Sequence, residues 1–344
     1  MTGIFLMTGC TFPSMEEEKR YTATFLDVFD TRTEIVGYGT EEEEFLAQAE
    51  QLREKLWEYH RLYDIYETYD GINNIKTINE QAGIAPVVVD QKIIELLQFS
   101  KEMYGLTDGR VNAAMGSVLS IWHDYREFGS NIPSRATLPE MEVLQEAAKY
   151  MDFEKVEIDE AASTVYLSDP HMSLDVGGIG KGYAVQKTAE YARELGMENL
   201  LISVGGNVIA VGGKKDGALW KIGVTDPDGM DATDYAAMVH IKDRCVVTSG
   251  NYQRYYVVDG KKYCHIIDPD TLMPADTFAS VTIITKDSGV ADALSTAVYI
   301  MPLEDGLDFI NSMEDTEAMW IMEDGSIHYS AEFENLYLEK VDDK

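Results

Sequence analysis

The stretch Ser173–Val185 has the sequence SLDVGGIGKGYAV, in which four glycines and a lysine lie between a short apolar run and a helical pattern. Glycines allow backbone N–H groups to approach a ligand closely. The helix predicted from about 181 to 195 would direct its positive N-terminal end at this loop. The stretch therefore indicates an anion site, and the alternative is a tight strand-to-helix turn that binds nothing.

The two commonest phosphate loops do not fit this stretch. A Walker A loop needs Gly, four residues and then Gly-Lys-Ser/Thr, whereas Gly180-Lys181 is followed by Gly182. A dinucleotide fingerprint needs G-x-G-x-x-G, and counting from Gly178 puts Tyr183 at the last glycine position. Neither a P-loop NTPase nor a Rossmann enzyme is supported.

The composition limits the classes of partner. The chain has 344 residues, of which 45% are hydrophobic, and its 28 Lys and Arg against 61 Asp and Glu give a net charge of -33. Nucleic acid is therefore excluded as a partner, and so is a surface of anionic lipid held by charge alone. An anionic small ligand needs a metal ion or local hydrogen-bond donors to offset the repulsion.

The N-terminus resembles the end of a bacterial lipoprotein signal. Residues 1–10 are apolar and end in Thr8-Gly9-Cys10, but only nine residues precede the cysteine and none is basic. A complete signal has a charged region and a longer apolar core. We predict that residues 1–20 are a truncated signal and tether, lipid-anchored through Cys10 on the extracytoplasmic side of the cell membrane. A cytosolic start with an accidental Gly-Cys is the alternative.

The order of predicted elements indicates one α+β domain over residues 21–344, because helices cluster early and antiparallel strands follow. No linker rich in Pro, Gly or Ser divides the chain. The predicted helices are 40–63 with Thr40 as cap, 90–104, 139–150, 181–195 and 290–301. The predicted strands are a pair within 21–38, then 155–158, 164–167, 200–204, 208–211, 220–224, 238–241, 255–258, 263–267 and 281–285, with turns at Asp259-Gly260 and Asp324-Gly325.

Two further stretches contain side chains capable of chemistry. Asp292 and Thr296 are four residues apart on a predicted helix, so both oxygens lie on one face and could hold Mg²⁺. The alternative is an ordinary helix with an acidic residue near its N-terminus. His265 and Asp268 flank the end of a predicted strand, and a structural histidine is the alternative to a catalytic one.

Five motifs occur along the chain in the order DVGGIGKGYAV (175–185), SVGGN (203–207), TSGNY (248–252), HIIDP (265–269) and ADALST (291–296). Together they resemble the ApbE family of FAD:protein FMN transferases. The resemblance covers about Phe25 to Met301 and implies a single α+β domain with early helices and mostly antiparallel sheets around an FAD cleft. It also implies that Mg²⁺ bridges the FAD pyrophosphate, that FMN moves to a threonine hydroxyl of a partner protein, and that AMP leaves.

The resemblance assigns roles to individual residues. Asp175 and Lys181 would contact FAD, and His265 would assist proton removal from the acceptor. The Mg²⁺ ligands would be the backbone carbonyl of Gly178, where the family often has alanine, with Asp292 and Thr296. Ile266, beside His265 in HIIDP, would lie against the flavin nucleotide. Weaker matches add three further FAD contacts: Phe29, which replaces a family methionine within Met-Gly-Thr, Tyr69, and the segment Asn112, Ala113 and Ala114, where Asn112 and Ala114 replace a polar pair.

The resemblance also implies the partners and leaves alternatives open. The acceptor would carry an Asp/Ser-Gly-Ala/Ser-Thr segment, on a membrane redox complex subunit or an electron-transfer lipoprotein. The same residues would serve an FAD pyrophosphatase, in which water replaces the threonine and FMN and AMP are released. A lipoprotein that binds FAD without chemistry is the rival from another class, and a purely structural surface protein is the simplest alternative.

Overall fold

The computed structural model describes residues 19–231 and 234–338. The predicted signal and its Cys10 lie outside these residues, so the lipid anchor stays a prediction. Within the described residues, no helix combines the length and the apolar character needed to span a membrane.

An eight-stranded antiparallel sheet organises the chain. The strands of the described residues are β1 (Lys19–Val28), β2 (Thr31–Gly39), β3 (Val87–Val88), β4 (Val156–Asp159), β5 (Thr164–Leu167), β6 (Leu200–Val204), β7 (Asn207–Val211), β8 (Trp220–Thr225), β9 (Tyr235–Ile241), β10 (Cys245–Gly250), β11 (Tyr255–Val258), β12 (Lys261–Cys264), β13 (Phe278–Thr285), β14 (Glu317–Met322) and β15 (Ile327–Tyr329). The strand order in the main sheet is β1-β2-β6-β7-β10-β13-β14-β15, and all neighbouring pairs are antiparallel. Smaller sheets pair β3-β5-β4, β8-β9 and β11-β12.

Helices cover one face of this sheet. The central pair is α6 and α7, which pack on each other and on the middle strands, and α1 packs beside α6. On the opposite face, the β8-β9 ribbon and α9 enclose a second apolar cluster. The helices are α1 (Glu42–Tyr63), α2 (Ile75–Glu80), α3 (Gln91–Leu106), α4 (Gly116–Asn131), α5 (Met141–Ala147), α6 (Gly180–Glu194), α7 (Ser288–Ile300), α8 (Leu303–Asn311) and α9 (Phe333–Tyr337).

Strand β13 shows why the sequence forms this layered structure. Its residues, FASVTIIT, are all buried because both faces of the strand are covered. A strand buried on both faces has a continuous apolar run rather than strict alternation. Helix α7 lies against it and is buried around most of its circumference. The side chain of Asp287 caps α7 by accepting hydrogen bonds from the N–H groups of Gly289 and Val290.

The α+β prediction is confirmed, with errors in particular elements. The sequence did not predict helix α4. This helix buries only four residues, two of which are glycines, and so narrow an apolar stripe gives no clear helical period. Thr40 does not cap α1, because the extended Glu41 precedes the first turn and makes no side-chain cap. Strand β12 ends at Cys264 rather than at residue 267, because the following backbone pairs with the segment around Ala275. The segment of strand β10 was noted only for its TSGNY motif, and in the structure it is a central strand of the main sheet.

Candidate active site

A cavity of about 380 Å³ lies where several parts of the fold meet. Its walls come from the β1–β2 and β6–β7 turns, the C-terminal end of α1, helix α4 with the segment before it, the loop before α6, the end of β10, the segment after β12 and helix α7. Predicted site residues on its walls are Phe29, Asn112, Ala113, Asp175, Gly178, Lys181, His265, Ile266, Asp292 and Thr296.

The loop before α6 uses most of its own amides internally. The N–H of Gly177 donates to Oδ1 of Asp175 at 2.8 Å, and the N–H groups of Ile179 and Gly180 donate to the carbonyl of Val176. Over residues 19–231 and 234–338, we find no hydrogen bond for the amides of Val176, Gly178 and Lys181. At most these three amides of the segment 175–181 are therefore free to bind an anion, fewer than the glycine-rich sequence indicates.

Two glycines of this loop have different reasons for lacking a side chain. A Cβ at Gly182 would lie 2.3 Å from the carbonyl oxygen of Ser288 and 2.4 Å from Cβ of Asp292. Gly182 therefore permits the close packing of α6 on α7. A Cβ at Gly178 would lie 3.6 Å from Oγ1 of Thr296, which is ordinary van der Waals contact.

We expect Gly182→Ala to lose most activity and to lower the melting temperature by several degrees, because the added methyl group overlaps α7 backbone. The matched control is Gly178→Ala, which should retain near-normal activity and melting temperature because the carbonyl is unchanged and the methyl group fits. Thermal unfolding and initial rates check both variants. Equal loss in the two would contradict the packing role of Gly182.

Asp292 is a buried acidic group of the cavity, as is Asp175. The Oδ2 atom of Asp292 accepts a hydrogen bond from the N–H of Gly182 at 2.7 Å, and the nearby Asn207 side chain favours the charged form of the carboxyl group. Burial raises the pKa of Asp292, and the positive charge of Lys181 opposes this rise. Burial likewise lowers the pKa of Lys181, opposed by Asp292. Both charges are costly here. An anion bound near Lys181 would stabilise its charged form, and a cation bound at Asp292 would stabilise the carboxylate.

The oxygen atoms around Asp292 fit a hard cation. The Thr296 hydroxyl lies beside Gly178, and the Oδ1 atom of Asn207 is buried without a hydrogen-bond partner. In the described part of the chain, no group of three or more His, Cys, Asp or Glu side chains could hold a metal. One carboxylate with neutral oxygens suits Mg²⁺, which commonly completes its coordination with water and substrate phosphates.

His265 lies on the cavity wall in its neutral form. Its Nδ1 atom is buried without a hydrogen-bond partner. Burial and neighbouring cations lower the pKa of His265 to about 3, well below the ordinary histidine value expected from the sequence. Those cations, in order of effect, are Arg126, Arg254 and Lys181. Asp268 does not orient the histidine, because its carboxylate accepts hydrogen bonds within its own turn.

Sequence reasoning missed several polar residues of the cavity. Arg126 and Arg254 line it, and we find no ion pair for either among the residues described. His123 also lines it, with Nε2 3.7 Å from Asp175 and Nδ1 2.9 Å from the Tyr66 hydroxyl. Arg126 and His123 lie on helix α4, which the sequence did not predict, whereas Arg254 lies only two residues after the TSGNY motif.

Two predicted FAD contacts are not on the cavity wall. Ala114 is fully buried, and its N–H donates to Oδ1 of Asn112. The Tyr69 hydroxyl donates to Oδ2 of Asp64 at 2.7 Å. Asn112 does line the cavity, but its amide nitrogen donates to the carbonyl of Met151, so its side chain supports the fold.

Comparison with known proteins gives a consistent result. The model described as the ApbE family matches residues 29–320. The FAD:protein FMN transferase of Treponema pallidum is 33% identical over 271 residues, covering 75% of this chain and 73% of that protein. The corresponding protein of Klebsiella pneumoniae is 30% identical over 279 residues, covering 79% of this chain and 84% of that protein.

The crystal structure of the ApbE protein from Thermotoga maritima matches with a TM-score of 0.81 at 30% identity, covering 93% of this chain and 100% of that one. The flavin transferase ApbE from Vibrio cholerae shares the fold, with a TM-score of 0.74 at 21% identity, covering 93% and 99%.

Proposed function

The chain belongs to the ApbE family, and from this premise we propose that it transfers FMN from FAD to a threonine hydroxyl of an acceptor protein, with Mg²⁺ as cofactor and AMP as second product. Family membership makes the chain an enzyme of the transferase class. The main support for the proposed reaction is that one cavity contains cationic side chains, a set of oxygen ligands and a neutral histidine.

The FAD pyrophosphate would be held by positive groups. Lys181, Arg126 and Arg254 all line the cavity. An anion bound there would offset the mutual repulsion of these cations. The net charge of -33 is spread over the whole chain and does not offset that repulsion within the cavity. The open amides of Gly178 and Lys181 add two donors. This arrangement would fix the phosphorus atom that undergoes attack.

The metal would be held by Asp292, Thr296 and the carbonyl of Gly178. The hydrogen bond from the N–H of Gly182 holds the Asp292 carboxylate in place before the ligand arrives. When bound, Mg²⁺ would supply charge stabilisation at the phosphoryl oxygens. The burial of Asp292 keeps bulk water from competing for its oxygens.

His265 would remove the proton of the acceptor. Because its pKa is lowered, the ring is neutral at ordinary pH and has a free lone pair. The threonine oxygen attacks the phosphorus of the FMN half, the bond from that phosphorus to the AMP phosphate oxygen breaks, and AMP leaves. The proton moves to His265. The negative phosphates of bound FAD would raise the pKa of His265 by offsetting the cations beside it, so the base becomes stronger when substrate is present.

The test is to incubate the purified protein with FAD and Mg²⁺, with and without an acceptor domain carrying an Asp/Ser-Gly-Ala/Ser-Thr segment. We expect an acceptor heavier by one FMN, an equal amount of AMP, and loss of both with EDTA. An acceptor with Thr→Val in the segment is the control and should stay unmodified.

Other outcomes identify the rivals. AMP and free FMN with an unmodified acceptor would indicate an FAD pyrophosphatase. Bound FAD that is released intact after long incubation with several acceptors would indicate a binding protein.

A further inference from the structure

The β1–β2 turn has an unusual backbone at the cavity wall. Phe29 and Asp30 have φ angles of 52° and 50°, in the left-handed region. That region is unfavourable for residues other than glycine, and especially for a bulky side chain. This chain therefore needs contacts that hold the turn in place.

A histidine on α1 supplies such a contact. The N–H of Phe29 donates to Nδ1 of His60 at 3.1 Å, so Nδ1 must be unprotonated. The proton of the neutral ring is then on Nε2, which lies 3.3 Å from the Tyr69 hydroxyl oxygen. Tyr69 in turn donates its own proton to Oδ2 of Asp64 at 2.7 Å. The chain of hydrogen bonds thus specifies the tautomer that accepts from Phe29.

Aromatic packing fixes the plane of the His60 ring. Trp57 stacks on it with centroids 4.6 Å apart and an interplanar angle of 14°. The Phe29 ring meets it edge-on at 5.5 Å and 81°. His60 therefore contacts both the backbone and the side chain of Phe29, and it lines the cavity itself together with Asp64.

We propose that His60 is a positioning residue that, with Tyr69 and Asp64 behind it, holds the β1–β2 turn so that Phe29 forms a fixed wall of the nucleotide site. The effect on nucleotide binding rests on the proposed function, whereas the effect on the turn does not. Tyr69 thereby gains a role that differs from the direct FAD contact expected from the family motif: it acts through His60.

The same geometry predicts a dependence on pH. The charged groups that act on His60 are Asp64, Asp30 and Asp27, which favour its protonated form, and Arg61, which opposes it. Burial is the largest effect and lowers the pKa of His60. Above that pKa the turn is held. Below it, Nδ1 carries a proton and can no longer accept from Phe29, so FAD affinity should fall only at pH values below the ordinary histidine range.

The experiment compares three variants of the full chain with the wild type. His60→Asn keeps an acceptor close to the Nδ1 position, His60→Leu removes it, and Tyr69→Phe removes only the hydroxyl. Exchange of the Phe29 amide is followed by NMR after selective ¹⁵N-phenylalanine labelling, and FAD affinity by flavin fluorescence across pH. Melting temperatures show whether each variant folds.

We expect His60→Leu to speed exchange of the Phe29 amide and to weaken FAD binding by about tenfold, the effect of one or two lost hydrogen bonds. The FAD affinity of His60→Asn should stay within about threefold of that of the wild type, and the affinity of Tyr69→Phe should lie between those of His60→Asn and His60→Leu. In His60→Leu, the affinity should no longer fall at acid pH.

Unchanged amide exchange in His60→Leu would overturn the positioning role. Faster exchange with unchanged FAD affinity would overturn its link to the nucleotide site. A wild type that binds no FAD would instead count against the proposed function, while amide exchange would still decide the role of His60 in the turn.

Discussion

An Asp292→Ala variant should lose FMN transfer by about 10³-fold, because it removes the carboxylate of the proposed Mg²⁺ site. It also leaves the N–H of Gly182 without its acceptor and the nearby Lys181 without its opposite charge. Rates at saturating FAD over a range of Mg²⁺ concentrations measure the effect.

Two controls separate loss of the ligand from loss of structure. Asp292→Asn keeps an oxygen for the N–H of Gly182 but removes the charge, and it should be folded and nearly inactive. Thr296→Ser keeps a hydroxyl and should retain activity, whereas Thr296→Ala should lose it severely. Normal Mg²⁺-dependent rates in both Asp292→Asn and Thr296→Ala would rule out this metal site.

A His265→Ala variant should bind FAD with near-normal affinity but transfer FMN about 10²- to 10⁴-fold more slowly, the usual contribution of a general base. Its imidazole lies on the cavity wall without a partner for Nδ1. Single-turnover labelling of the acceptor measures the rate, and flavin fluorescence measures binding. A wild-type rate would remove the histidine from the chemistry.

The pH dependence gives a second check on His265. Its pKa is lowered from 6.5 to about 3, so the folded protein binds fewer protons than the unfolded chain between these values. Stability should therefore fall as pH decreases from about 6.5 towards 3. A His265→Gln variant should show a smaller fall in melting temperature over that window. For the free enzyme, kcat/KM should show no acid limb near pH 6.5 from this residue.

The sequence predicted the parts of the site that local patterns determine. Lys181, Asp292 and Thr296 lie in motifs that resemble those of the ApbE family, so they could be identified from the sequence, and the structure places all three on the wall of one cavity. Helix α4 has glycine at both ends of a narrow buried stripe, so Arg126 and His123 were not expected.

Motif matching also fails to give the direction of a side chain. Tyr69 and Ala114 align with family positions, yet Tyr69 turns its hydroxyl to Asp64 and Ala114 is buried away from the cavity. His60 carries no motif. Its position depends on the close approach of α1 to the β1–β2 turn, which is a tertiary contact that no local pattern reports.

The pairing of β2 with β6 has a consequence for the order of folding. Thr33 pairs with Val204, so the contact between the N-terminal hairpin and the main sheet joins residues that are far apart in sequence. Contacts between such residues form slowly, because closing the intervening loop costs entropy before any pairing is gained. Local hairpins such as β11–β12 can form early. We therefore expect the cavity wall that contains Phe29 to be completed late in folding, after the local hairpins have formed.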